Sequence, residues 1–544
     1  MTKSSKTRAS KQKYVSPSQG VLPGFETPFS QSLSPDNRWV ILSGQIPWDI
    51  LVNLYLKHMG NSKTGACGIN PRVALGALII KHICDFSDRE TIQQIQENVY
   101  MQYFIGYSSF SDTAAFDPSL FVELRKRLGI EQINAINEHI IKFVHQKKEE
   151  TIQSDGVKHT PDSAERIDIN AEEQAKASSK ESKSDFVSTS EGCKSEEQTS
   201  VSNLGKMIID ATVCPQDIAY PTDLNLLNDA REKSEELIDQ LYLAHLHGKK
   251  PRTYRQKARK LYLAEAQKKH STAKSIRKAN KKQLSFLGRN IRSIHWLLDK
   301  YKEIPLDKKA YKYLLVIQTV YQQQQEMHNQ KVHSIEHRIV SIHQPHVRPI
   351  VRGKRNAKVE FGAKIQVSLM NGFVFLDDLD WEAFNEGNRL KASVEKYKER
   401  FGYYPAEVLA DKIYCTRDNR KLLKNLNITL RAKPLGRPSL SSAVADHVRP
   451  GERNPIEGVF GQGKTAYGMN RIKARLSHTS ESWIATILMV INLVKITGLI
   501  RHVLTLSTSV QTFSAWCFLF LENTQRDICT KNYSRLKINT KIAA

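Results

Sequence analysis

Acid is scarce in this 544-residue chain, and cysteine is unorganised. Asp and Glu number 56 against 81 Lys and Arg, a formal net charge of +25. Such an excess points to a polyanionic partner, nucleic acid first and an anionic membrane second. The membrane reading weakens because the opening MTKSSKTRASKQKYV lacks the apolar core of a signal peptide, and no stretch offers twenty uninterrupted apolar residues. The nearest contender, WIATILMVINLVKITGLI from Trp483, is broken by Asn492 and Lys495 and reads as a helix buried in protein on nearly every face. The seven cysteines form no CxxC pair, and an odd number without a secretory signal indicates reduced thiols in a cytoplasm. What is plentiful is apolar content, 40%, enough for ordinary buried cores in about three or four domains by size.

Composition divides the chain. Residues 1–20 form a polar, basic tail expected to be disordered, and 21–146 a helical N-terminal domain. Within that domain SDRETIQQI places Ser87 and Glu90 in capping-box register, and FDPSLFVELRKRLG offers Asp117 as N-cap, Pro118 at the first helical position and Gly129 as a stop. Two short helices separated by a Ser/Gly-rich loop end in Arg125, Lys126 and Arg127. A helix-turn-helix-like DNA reader and a solvated charged face both fit that cluster. Residues 147–203 carry thirteen acids, eight bases and almost no large apolar groups, a flexible linker.

A short strand, KMIIDATVC, runs into Asp210 at residues 204–224. Residues 225–345 then read as almost continuous helix. Leu284, Leu287, Ile291, Ile294 and Leu298 alternate steps of three and four, a seam for another helix. Before the seam, Lys249 to Lys282 holds fourteen basic residues and one acid, Glu265, which favours phosphate-backbone binding over a merely solvated face. Residues 346–501 alternate strands and helices. Asn371-Gly372 between two apolar runs is the strongest short hairpin signal, and AEVLADKIYC brings a strand to Asp411. The order describes a mixed sheet flanked by helices, an α/β layer architecture.

The stretch RNPIEGVFGQGK opens a helix, with Asn454 as N-cap and Pro455 at the first position, so Glu457 falls in the first turn. The helix dipole alone favours a carboxylate there by roughly 0.3 to 1 kcal/mol. Asp210 and Asp411, however, sit in or just after apolar strands, where an ionised group is expensive unless paired or bound to a metal. Three acids without His or Cys partners suit Mg²⁺ or Mn²⁺ better than zinc, and two such ions can drive in-line displacement at phosphorus. Lys and Arg around them would hold the polyanion.

With these residues in view, the chain resembles DDE transposases of bacterial insertion sequences, specifically insertion-sequence family five and its near relatives. Their pattern around the last catalytic acid is Y-x2-R-x3-E-x6-K; Arg453, Glu457 and Lys464 fit it, and the tyrosine position is Pro450. Similar stretches include IIDATVCPQDIAYPTDLNLLN, RPIVRGKRNAKVEFGAK, VLADKIYCTRDN and, toward the N-terminus, ALGALIIKHICDFSDRETIQQIQEN. The resemblance implies a ribonuclease-H-like catalytic domain (204–224 and 346–501) interrupted by the basic helical insertion 225–345, and a separate all-α N-terminal DNA-binding domain. It implies Asp210, Asp411 and Glu457 as catalytic metal ligands for two Mg²⁺ or Mn²⁺ ions, and Arg453 and Lys464 as contacts to transposon-end DNA. It also implies terminal inverted repeats and target DNA as partners, a homodimer or higher oligomer on DNA, and a bacterial, nucleoid-associated protein. A domesticated DNA-binding derivative and a nuclease of the same fold are the alternatives.

Some features fit bland roles better. His333, His337, His343 and His346 could be drawn as a zinc cluster, but no carboxylate or Cys pattern completes it, which leaves polar or DNA-facing residues. Asp377, Asp378 and Asp380 read as a solvated turn rather than as extra metal ligands, Asp223 as a helix cap, and Trp483 as core. Residues 502–544 match no pattern.

Overall fold

The computed structural model describes residues 14–17, 27–58, 68–155, 203–352, 359–432 and 451–496. Pro450, the basic loop before it, most of the expected linker and residues 502–544 lie outside them. Among the described residues, eight helices precede the first strand. They are α1 (Pro28–Ser32), α2 (Arg38–Gln45), α3 (Trp48–His58), α4 (Pro71–Cys84), α5 (Asp88–Glu97), α6 (Val99–Phe104), α7 (Leu120–Arg127) and α8 (Ile130–Asp155). Local chemistry sets their starts. The Asn70 side chain accepts from the Arg72 amide with Pro71 at the first position, and Ser87 Oγ accepts from the Glu90 amide. The start expected at Asp117 moves to Leu120, with Ser119 as N-cap, because Asp117 instead accepts from the Ser119 amide in a preceding turn. The expected Ser/Gly loop contains α6, and α8 runs past Lys147 to Asp155, so the linker begins later than composition indicates.

One six-stranded sheet follows: β1 (Lys206–Pro215), β2 (Arg348–Val351), β3 (Val359–Met370), β4 (Phe373–Asp380), β5 (Glu407–Leu409) and β6 (Thr429–Arg431). β3 pairs antiparallel with β1 on one side and with β4 and β2 on the other, while β1, β5 and β6 run parallel. The order across the sheet is therefore β4-β3-β1-β5-β6. Asn371 and Gly372, at φ +49° and +81°, close the β3–β4 hairpin as a two-residue turn of the type their sequence calls for.

Between β1 and β2 stand α9 (Asp223–Leu241), α10 (Ala244–His247), α11 (Arg255–Ala266), α12 (Ala273–Leu298) and α13 (Lys308–Gln330). They enclose their own core, in which Leu284, Leu287, Ile291 and Ile294 meet Leu227, Ile238, Ile317 and Val320. The N-cap of α9 is Thr222, whose side chain accepts from the Asn225 amide. Asp223 is the first helical residue and accepts from Gln324 and Arg338 instead. After β4 come α14 (Leu390–Phe401), α15 (Arg417–Asn425), α16 (Asn454–Ala466) and α17 (Ser477–Ile496).

The two faces of the sheet carry different cores, as the two-residue period of strands requires. Met207, Ile209 and Phe375 pack with Leu390, Val394 and Tyr397 of α14, while Ile208, Ile365, Val367 and Leu376 pack with α16 and α17. The second core continues without a break into the N-terminal helices, through Leu78, Phe121 and Ile136. The N-terminal helices thus share one core with the sheet and α17. Helix α17 is apolar on nearly every side because it is covered on nearly every side, and Asn492 is satisfied inside. Its amide donates to Asn137 Oδ1 of α8 at 2.9 Å and to the Val374 carbonyl at 2.7 Å, and its oxygen accepts from the Val374 amide.

The aspartates after the hairpin belong to β4 rather than to a turn. Asp377 is buried against Arg400 Nη1 at 2.7 Å, and Asp378 and Asp380 both pair with Arg389. Their partners lie on and just before α14, beyond the reach of any local reading.

Candidate active site

Asp210 sits in the middle of β1, opposite Val367 of β3. β5 runs parallel to β1 with Met207 beside Val408 and Ile208 beside Leu409, so Asp411, two residues past the end of β5, stands level with Asp210. The chain leaves the sheet at that point because the Asp411 carboxylate caps the short turn Lys412–Tyr414, accepting from the Lys412 amide at 2.7 Å. In open sheets of this kind, ligands gather beyond the carboxyl ends of parallel strands.

Arg453 joins the two acids. Immediately before α16, its guanidinium donates to Asp210 Oδ2 at 3.0 Å and lies 3.5 Å from Asp411 Oδ1. The Asp210 carboxyl is raised from its ordinary value, chiefly by burial; the Ala211 amide and Arg453 pull it down, while Glu386 and Asp411 push it further up. Glu457 lies in the first turn of α16, one turn beyond Arg453 and exposed. Among the described residues no three His, Cys, Asp or Glu side chains are close enough to hold a metal ion, and Asp210 and Asp411 gather around the Arg453 guanidinium. The helix starts at Asn454 rather than after it, the one-residue ambiguity usual at helix ends. Lys464 is near enough to Cys214 that its charge offsets part of the burial that pushes that thiol up to about 12, which places it by the carboxyl end of β1.

Three further groups surround the acids. Arg352 donates to Thr212 Oγ1 at 3.1 Å, Lys364 pairs with Glu386 at 2.9 Å, and the buried Tyr414 hydroxyl has no hydrogen-bond partner. Burial, with Glu386 and Asp210 nearby, raises the Tyr414 phenol strongly. Arg352 falls in the stretch RPIVRGKRNAKVEFGAK, whose charge could have drawn notice; Glu386 follows no pattern and is found only in three dimensions.

The basic cluster of α7 splits. Arg125 turns inward, bidentate to Asp88 at 3.0 and 2.8 Å and stacked over Trp483, and it cannot read DNA. Lys126, paired with Glu123, and Arg127 remain exposed. The histidines disperse: His337 pairs with Glu382, His343 bonds Tyr313, and His346 packs edge-on against Trp381, where burial takes it down to about 4.

Comparison with known proteins fits this geometry. Residues 408–494, from β5 through α17, match the family described as Transposase DDE domain, and residues 27–127 match the one described as Transposase domain (DUF772). The uncharacterized protein ORF8 in the nfe locus of Rhizobium meliloti is 28% identical over 164 residues, which span 30% of this chain and 72% of that protein. No solved structure matches. Both matched families are transposase domains, a DNA-cleaving enzyme class whose members bind DNA, and the two matches lie at separate places on the chain. The matches are consistent with a DDE transposase of an insertion sequence, a class that generally uses divalent metal ions.

Proposed function

We propose that this chain binds the ends of its insertion sequence, cleaves DNA phosphodiesters there and joins the freed 3′-hydroxyl to target DNA. The observation that carries the reading is the pairing of Asp210 on β1 with Asp411, just past the end of the parallel β5, the two sharing one cationic partner in a chain whose residues 408–494 match the DDE domain. The strand order β4-β3-β1-β5-β6 supports a ribonuclease-H-like sheet, with α9 to α13 as an insertion between its first two strands.

The donor set fits a hard divalent cation: two carboxylates converge on the Arg453 charge, Asp210 is destabilised by burial until a cation faces it, and Glu457 is one helical turn away. Asp210, Asp411 and Glu457 would hold Mg²⁺ or Mn²⁺, two ions by family resemblance. Such ions supply activation of the attacking oxygen and stabilisation of the leaving oxygen. The chain's own contribution is positional. β1 and the end of β5 fix two carboxylates at one level, the start of α16 favours negative charge through its dipole, and Arg453 just before α16 and Lys464 within it grip the DNA backbone. Lys126 and Arg127 extend that grip from the N-terminal helices. The protein works in the bacterial cytoplasm, at the nucleoid, as a homodimer or higher oligomer on DNA.

The test is cleavage of transposon-end DNA in Mg²⁺ by Asp210→Asn, Asp411→Asn and Glu457→Gln, with end binding measured beside it. Each variant is expected to bind and to lose cleavage. Retained cleavage by any one of them would remove that residue from the site.

A further inference from the structure

Helices α12 and α13 line a half-open cavity of about 350 Å³, bordered by Lys281, Gly288, Arg292, Tyr321, His328 and Asn329 among others, with no carboxylate in its wall. Gly288 lets the Tyr321 ring close against α12: a Cβ there would lie 2.7 Å from the Tyr321 hydroxyl. His328 Nε2 is buried and has no hydrogen-bond partner, a donor or acceptor left over inside the protein. Arg277 closes one rim by donating to the His328 carbonyl at 2.8 Å. With Lys281 and Arg292 in its wall and no carboxylate, the cavity is electropositive; burial lowers the His328 imidazole from its ordinary value, and Arg277 and Lys281 lower it further against a hydrogen bond with Asn329.

The cavity does not stand alone. Along α12, Lys274, Lys278, Lys281, Ser285, Gly288 and Arg292 recur at steps of three and four, one helix face about 27 Å long at 1.5 Å per residue. Lys274, Lys278, Lys281 and Arg292 are exposed, and no ion pair among the described residues engages them. Three acids of this block are committed elsewhere: Glu265 to Lys268 and Ser275, Asp239 to Lys250 and Arg255, and Glu235 to Arg231. A row of unneutralised cations leading to a polar, positively charged hollow is complementary to a chain of phosphates rather than to a single neutral ligand.

We infer that the face of α12, with the cavity between α12 and α13 at its centre, seats the phosphate backbone of a DNA duplex, one phosphate entering the hollow beside Lys281, Arg292 and His328. This seat is remote in sequence from the three acids and independent of cleavage, but it rests on the reading that the chain acts on DNA. The site is sequence-tolerant. Phosphates carry no base information, so the seat positions the duplex while other elements read it.

The experiment is binding of the full chain to a fluorescent duplex of arbitrary sequence by anisotropy across a salt series. Removing one phosphate-binding cation should flatten the slope of log K against log salt by about 0.9. Lys281→Ala with Arg292→Ala is expected to flatten it by about 2 and to weaken binding about tenfold at low salt, while Lys308→Ala with Lys309→Ala, at the far end of the same helix pair, leaves it unchanged. Equal effects of the two pairs would overturn the assignment, because they would mean diffuse attraction without a seat. A second arm adds inorganic phosphate at constant ionic strength. No displacement of DNA supports a backbone seat, and displacement at millimolar phosphate that the Lys281/Arg292 variant abolishes would overturn it in favour of a free-anion site. Circular dichroism of the variants distinguishes a weakened grip on DNA from an unfolded chain: a cavity variant that unfolds is replaced by Lys281→Gln, for which an unchanged slope overturns the proposal. Failure here with intact DNA binding leaves the transposase reading standing; absence of DNA binding by the wild-type chain would sink both.

Discussion

Replacing Asp88 by asparagine should cost the fold about 3 to 5 kcal/mol, far more than a surface acid would. Asp88 is the single anion beside two buried cations. It lies 3.1 Å from Lys81 Nζ and 2.8 Å from Arg125 Nη2, and those two side chains are 1% and 4% exposed. Both cations also lie over the Trp483 ring of α17, at 4.5 and 5.1 Å, so the cluster fastens α4, α5 and α7 to a helix almost 400 residues later in the chain. Asparagine keeps the shape and removes the charge, which leaves Lys81 and Arg125 desolvated without a counter-ion.

Guanidinium unfolding reads the loss, and a pH series identifies its origin. Burial depresses Lys81 to about 8 from 10.5, against the opposing pull of Asp88, with Arg125 and Lys473 lowering it further. Neighbouring His82, wholly buried, is held well below its usual range and stays neutral. Because the folded value lies below the unfolded one, the unfolded chain binds more protons between pH 8 and 10.5, and stability rises with pH across that window by about 3 kcal/mol relative to Lys81→Met. In Asp88→Asn the rise should start at lower pH. A loss under about 1 kcal/mol in Asp88→Asn, or no difference in alkaline slope between wild type and Lys81→Met, would refute the burial of this cluster and the shared core it joins.

Two further outcomes follow from buried charge. Arg400→Met should destabilise by about 3 to 5 kcal/mol because it strands Asp377, whereas Asp377→Asn with Arg400→Met should recover most of the loss in urea unfolding; additive losses would show that the pair is not coupled. Asp210 is raised by burial, so its ionised form burdens the fold above its folded pKa and not below the unfolded value of 3.8. Asp210→Asn should therefore unfold at the same denaturant concentration as wild type or higher at pH 7, with the difference vanishing near pH 3.8; a less stable variant at pH 7 would contradict the account.

Local pattern made a good deal of this legible. Asn371-Gly372 declared its hairpin because only a turn with two positive φ values suits that pair, and the α12 seam declared its helix partner by period alone. Trp483 and Asn492 were legible as interior residues because a helix apolar on every side has nowhere else to go. Partnership across long separations was not legible. Nothing in LRKR distinguishes Arg125, folded back on Asp88, from its exposed neighbours, and Asp377 is an ordinary acid until Arg400 of α14 comes beside it. The same holds at the candidate site: strand and helix signals singled out Asp210, Asp411 and Glu457, but that Arg453 ties the first two together is a property of parallel register and the start of α16.

The central place of α17 sets an order for making the molecule. Synthesis proceeds from the N-terminus, so α4, α7, α8 and one face of the sheet emerge with apolar surfaces whose cover, residues 477–496, is made near the end. Helices α9 to α13, closed over their own core, need not wait. The nascent chain thus passes through a stage in which its middle can be folded while its beginning stays open, the stage at which it is most exposed to chaperones and proteases.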